Sequence, residues 1–285
     1  MNTNTKIAEF FSFSTKNESV DWGEILATQH CAYLQKKCIK VRKSEPDIAI
    51  GTCTVQYGKD NQEIIICPHR LIEKRQIFID CIHLLTLHEP GNELHVISEI
   101  SIPGGSVDYI LLSVRNGKVI DFVGIELQTL DTTGTVWHER QQFLRGLNSL
   151  EKSETIHETK TYGMNWKMTA KTILVQLHHK IETFEHVGKH LVLVLQDHLL
   201  SYMKKEFSFS HINTTPKLGD PMHFHAYGLY LGNDSNYHIK LNQRLSTDSD
   251  GIASAMGLKA DAKIELSLIV KTLESKISAR TLLTI

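Results

Sequence analysis

Residues 106–128 read SVDYILLSVRNGKVIDFVGIELQ and set three polar side chains, Asp108, Glu126 and Gln128, inside runs that are otherwise largely apolar. Side chains alternate across a strand, so Glu126 and Gln128 share one face while Ile125 and Leu127 take the other. The Asn116-Gly117 pair between the runs signals a hairpin, and a hairpin folds Asp108 back beside Glu126. Two carboxylates brought together repel unless a cation joins them, and an all-oxygen site suits Mg²⁺. Such a site can activate water for in-line attack on a phosphate. Glu99, in the preceding run LHVISEISI, is a candidate third oxygen ligand. The competing reading is the polar face of an edge strand. Two other acids nearby, Asp121 and Asp131, are assigned to a solvated face or loop.

The second group with chemical potential is the cysteines. All five (Cys31, Cys38, Cys53, Cys67 and Cys81) fall in one N-terminal stretch, and none occurs afterwards. The first four could supply a tetrahedral thiolate site for iron or zinc, although no CxxC pair is present and spacing alone favours scattered buried thiols. Cys81 sits in a helical pattern and is left out of that set. Around the second cysteine, KKCIKVRK carries Lys36, Lys37, Lys40, Arg42 and Lys43. This cluster is either a DNA-contacting surface or a solvated charged face. Lysines there would contact phosphates, and base readout suits arginine. Arg70, Arg75 and Arg140 are candidates for DNA-backbone contact but are assigned to ordinary surface positions, and His178, His179, His223 and His225 to structural roles.

These residues need elements to position them. Residues 1–69 are rich in turn signals, whereas from Arg70 onwards Leu71, Phe78, Ile82 and Leu85 recur at helical spacing, so the chain divides into 1–69 and 70–285. Three neighbouring strands are expected over 94–128, followed by a polar helix over about 137–150. Ala170, Ile173, Leu174, Leu177, Ile181 and Phe184 mark one face of an amphipathic helix, and HLVLVLQ after it reads as a buried strand. HFHAYGLYL reads as a further strand, and Ala262, Leu266, Ile269, Leu273 and Ile277 as a C-terminal helix. The polar stretch 232–251 reads as a connection or a groove-entering loop. Hydrophobic content of 41%, charged content of 22% and a net charge of -1 exclude a disordered or generally basic chain, so any nucleic-acid surface must be local. With no signal peptide and no membrane-length run evident, a cytoplasmic protein is expected.

The helix, the strand carrying Asp108 after PGGS, the hairpin and GIELQ resemble the PD-(D/E)XK nuclease core. At closer range, RKSEPDIAIGTC, IIICPHRLIEKRQIF, HEPGNELHVISEISIPGGSVDY, GIELQTLDTTGTVWHERQ and NWKMTAKTILVQLHHKIETF resemble NotI-type restriction endonucleases. The resemblance implies an α/β fold, a mixed sheet flanked by helices, with a small N-terminal metal module. It implies a homodimeric, Mg²⁺-dependent type II enzyme from a prokaryote that cuts both strands of a palindromic, GC-rich DNA site, paired with a DNA methyltransferase. Asp108 and Glu126 would hold Mg²⁺. Gln128 would stand where the superfamily usually has lysine, and Val107 where it usually has proline. Cys31, Cys38, Cys53 and Cys67 would hold iron or zinc. Two rival readings share the scaffold: a structure-specific repair nuclease, and a DNA-binding protein without catalysis.

Overall fold

The computed structural model describes residues 5–147, 162–258 and 266–276. The N-terminal part builds a four-stranded sheet from β1 (Ile7–Phe10), β2 (Phe13–Ser14), β3 (Thr52–Tyr57) and β4 (Gln62–Ile65), in the order β2-β1-β3-β4. Helix α1 (Trp22–Thr28) and short two-stranded ribbons fill the interval between β2 and β3. The larger sheet has six strands: β5 (Glu93–Ile102), β6 (Gly105–Arg115), β7 (Lys118–Gln128), β8 (His190–Gln196), β9 (Met222–Leu231) and β10 (Tyr237–Thr247). Their spatial order is β10-β9-β8-β7-β6-β5. Pairs β7/β8 and β8/β9 are parallel and the outer pairs antiparallel, which gives a mixed sheet.

The three strands expected before residue 128 are present, and Asn116 (φ 52) and Gly117 (φ 71) form the turn between β6 and β7 in the doubly left-handed conformation that a tight hairpin requires. Strand β8 has parallel neighbours on both sides and is buried throughout. Its leucines (Leu191, Leu193, Leu195) enter the core on one face and Val192 and Val194 enter the core on the other. The first face is covered by α4 (Trp166–His186), α5 (Asp197–Glu206) and α6 (Ser249–Ala255). All six apolar residues read as one face of α4 are buried, each worth roughly 1.5–3 kcal/mol for the larger side chains. Gly124 of β7 admits this helix, because a Cβ there would lie 2.4 Å from the Phe184 ring.

The opposite face is covered by the segment read as helical from Arg70. Leu71, Phe78 and Leu85 are buried there as the spacing implied, but they sit on broken turns rather than one helix. Lys74 (φ 49) and Arg75 (φ 58) take left-handed backbone conformations that interrupt it. Helix α2 (Gln76–Ile79) is a single turn. Helix α3 (Trp137–Gly146) matches the expected polar helix, whose last residues, 148–150, lie outside the described residues. The C-terminal helix α7 spans Leu266–Glu274, and Ala262 and Ile277 fall outside the described residues. The stretch 232–251 is not a loop: most of it is β10, paired with β9 along its length. Among the described residues no helix is long and apolar enough to cross a membrane.

Three polar residues assigned to the surface are buried instead. Asp121 is 2% exposed and accepts from the Leu87 and Phe122 amides and from Lys189 Nζ, so three donors offset its desolvation. Arg140 donates to the Ile50 carbonyl and packs over Phe10 and Trp137. Arg70 is completely buried: its Nε lies 2.9 Å from Glu9, Nη1 reaches Glu73, and Nη2 donates to the Tyr237 carbonyl at 2.7 Å. One guanidinium thereby ties β1 to β10 across the two sheets. Arg75 is exposed, as assigned. Removing one partner of a buried pair leaves the other charge uncompensated. Arg70→Met is therefore expected to lower unfolding free energy by about 3–5 kcal/mol in urea denaturation, with a loss below about 1 kcal/mol marking a pair no stronger than a surface one.

Candidate active site

Strands β6 and β7 bring Asp108, Glu126 and Gln128 to one cleft of about 360 Å³. Tyr109 pairs with Ile125, so the next step of the ladder sets Asp108 toward Glu126, and Asp108 Oδ2 accepts the Leu127 amide at 2.8 Å. The strand alternation holds: Ile125 and Leu127 pack into the opposite core while Glu126 and Gln128 face the cleft. Gln128 Nε2 donates to the Thr129 carbonyl at 2.6 Å, which fixes the amide and turns Oε1 into its accepting group.

Glu99 has a different position. It stands across the β5/β6 ladder from Asp108, between the pairs Ile100–Val107 and Ser98–Tyr109. It is exposed, with a left-handed backbone (φ 57) that is unusual in a strand, and it does not line the cleft.

Sequence reasoning missed Lys180. It projects from α4 into the cleft, and Nζ lies 2.7 Å from Glu126 Oε1 with both side chains below one-tenth exposed. The signal was present in the α4 pattern: residue 180 continues the 173, 177, 184 stripe, so a lysine occupies a core-facing position. Gln176 and His179 of the same helix also line the cleft. Burial pushes the Glu126 carboxyl up to about 7, with the Asp108 charge adding to the rise and Lys180 opposing it. Each glutamate so raised holds its proton more tightly folded than unfolded. Its contribution to stability is thus present below about pH 4.5 and lost as pH rises through about 7.

The four N-terminal cysteines line a single small cavity with Phe11, Leu34, Lys40 and His69. Its volume, about 10 Å³, is room for one water-sized sphere. The adjacent Cys53 thiol, helped by the Lys40 charge, lowers the Cys67 thiol to about 6, while Cys53 Sγ donates to the Gly51 carbonyl at 3.6 Å. As the side chains stand, however, the expected ligand cluster is not formed. Among the described residues no group of three or more His, Cys, Asp or Glu is arranged to hold a metal ion. The thiols face a common space without converging on one point. Cys81 is separate, buried with Sγ 3.7 Å from His225 Nδ1.

The basic residues are partly occupied by the protein itself. Lys40 Nζ donates to the Ile66 carbonyl, Lys37 Nζ to the Asp47 carbonyl, and Arg42 pairs with Glu45 while lying over Trp137. Lys36, Lys37 and Lys43 are exposed. His69 connects the two regions: it lines the cysteine cavity, and its imidazole feels the charges of Lys36, Lys40 and Asp108. Burial and the two lysines lower its affinity for a proton, which Asp108 partly restores.

The electrostatics of the cleft give a direct test. In carbon-13 NMR of glutamate-labelled, metal-free protein, one carboxyl is expected to titrate near 7, and Asp108→Asn should move that midpoint down by removing a neighbouring negative charge. A midpoint at the ordinary 4.5 would mean that Lys180 or water fully offsets the burial of Glu126.

No curated protein and no solved structure shows a significant match to this chain. The family model described as restriction endonuclease NotI matches residues 29–216, more than half of the 285 residues and a span that holds the four cysteines, the cleft and α4. The chain therefore belongs to the NotI restriction endonuclease family and is a site-specific deoxyribonuclease.

Proposed function

We propose that the protein is a type II restriction endonuclease on a PD-(D/E)XK core that makes Mg²⁺-dependent double-strand cuts at a palindromic, GC-rich DNA site. The observation that carries this reading is the meeting of Asp108, Glu126 and Gln128 in one cleft, with the Leu127 amide holding Asp108 in place. Mg²⁺ is commonly bound by one or two protein carboxylates, with water and substrate phosphate completing its shell, so two carboxylates suit it without a third protein ligand. When bound, it would supply charge at the scissile phosphate and lower the pKa of water there. Asp108 and Glu126 are the residues that would hold it, with Glu99 a candidate only if β5 moves toward the cleft. Gln128 Oε1 would accept a hydrogen bond from the attacking water and orient it in line with the leaving oxygen. The reaction is a direct hydrolysis, with no covalent enzyme intermediate.

In the same reading, residues 1–69 act as a DNA-contacting module and 70–285 as the catalytic domain with its C-terminal extension. Lys36, Lys37, Lys40, Arg42 and Lys43 would face the DNA backbone, a role supported by the exposure of Lys36, Lys37 and Lys43. Cys31, Cys38, Cys53 and Cys67 would hold iron or zinc. Support comes from their shared cavity and from thiol chemistry suited to either metal. A two-fold site cut on both strands is served most simply by a homodimer. A cognate methyltransferase would protect host DNA in the prokaryotic cytoplasm.

Digestion of unmethylated phage DNA, followed by sequencing of the ends, tests the nuclease. Discrete Mg²⁺-dependent fragments are expected, with Asp108→Ala slower by on the order of 1000-fold, the rate equivalent of several kcal/mol. Smeared products would favour a structure-specific nuclease, and Ca²⁺-supported binding without cleavage a DNA-binding protein. Elemental analysis of the purified protein addresses the cysteines separately. About one iron or zinc per chain, lost in Cys53→Ser, is expected, and a metal-free wild-type protein of full stability would overturn that site.

A further inference from the structure

Gln128 is uncharged, so the strand that carries it brings no cation to the reacting phosphate. Lys180 is the only lysine or arginine among the described residues lining the cleft. Its position is built into the packing of α4 on the β5–β6 turn. Thr183 Oγ1 donates to the Pro103 carbonyl at 2.9 Å. Gly104, at φ +92, lets the helix backbone approach so closely that a Cβ there would lie 2.3 Å from the His179 carbonyl oxygen. At Gly105 a Cβ would lie 3.2 Å from Lys180 Cε. Gly104 thus admits the helix backbone, and Gly105 leaves room for the lysine stem. An ammonium in a core-facing helix position is costly to desolvate, whereas an apolar residue would pack there with no such penalty.

We infer that Lys180 is a catalytic residue of the cleavage reaction, its ammonium reaching the scissile phosphate from helix α4 and supplying the positive charge that Gln128 lacks. This rests on the nuclease reading above. In the absence of DNA, the ammonium rests on Glu126 Oε1. With DNA in the cleft, rotation about its own side-chain torsions brings Nζ to a non-bridging phosphate oxygen. The ammonium stabilises the charge that builds on the phosphate oxygens as the water oxygen bonds to phosphorus and gives up its proton to bulk water, and as the phosphorus–oxygen ester bond breaks with the leaving oxygen taking a proton from bulk water.

The test compares wild type, Lys180→Met, Lys180→Ala and Gln128→Lys/Lys180→Ala. Each is measured for single-turnover cleavage in Mg²⁺, binding of a fluorescent duplex carrying the cleavage site in Ca²⁺, and thermal unfolding. Methionine preserves the apolar stem, so Lys180→Met is expected to fold and bind DNA within about threefold of wild type while cleaving on the order of 100-fold more slowly. Added ethylamine should restore part of the rate to Lys180→Ala, and a lysine at position 128 should restore part of it in the double variant. A purely structural lysine predicts neither rescue. Cleavage by Lys180→Met within about threefold of wild type, or a slow and stable variant that neither amine nor Gln128→Lys restores, would overturn the inference. If wild type itself does not cleave, the nuclease reading fails at the control, before any Lys180 variant is compared.

Discussion

The seat of α4 on strands β6 and β7 is the contact on which the cleft depends. A helix normally rests on a sheet at a distance set by side chains on both surfaces. Here two glycines remove those side chains where the helix crosses: Gly124 of β7 beneath Phe184, and Gly104 of the β5–β6 turn beneath the His179 carbonyl. The helix therefore lies close, and its lysine spans the remaining gap to Glu126. The apolar stripe of α4 provides the adhesion, while the glycines set the distance. The cleft is the place where that stripe gives way to polar residues at the edge of the core.

Charge in the cleft follows from that geometry. Asp108 is exposed and held by one backbone amide, whereas Glu126 is buried and paired with a single lysine. Burial raises the hold of the Glu126 carboxyl on its proton, and the neighbouring Asp108 charge adds to the rise. Lys180 faces the buried Glu126 at 2.7 Å, so among the described residues the positive charge in the cleft comes from the helix and not from the strands.

Much of this was legible in the chain. The hairpin at Asn116-Gly117, the alternation at Glu126 and Gln128 and the α4 stripe each rest on a local period, and each held. What failed had a long-range cause. Asp121 looks like a solvent-facing acid until Lys189 and the Leu87 amide, far apart in sequence, converge on it. Arg70 is disguised in the same way by Glu9 and Tyr237. The β10 strand is hidden in the sequence because its composition is polar and only four of its eleven positions are buried. Lys180 was visible as an anomaly in a helical stripe, and only its neighbour across the sheet gives that anomaly meaning.

The Arg70 network also constrains the order in which the chain can mature. Its acidic partner lies at residue 9 and its carbonyl partner at residue 237, and Ser14 and Asn17 likewise bond to Asn236. Contacts of such sequence separation carry a large loop-closure cost and form late in folding. On the ribosome, the N-terminal sheet emerges first yet cannot close its last hydrogen bonds until β10 has been synthesised. A product that stops short of residue 236 therefore keeps the pairing partners of its N-terminal sheet but lacks the acceptors at Asn236 and Tyr237 that anchor that sheet to the rest of the chain.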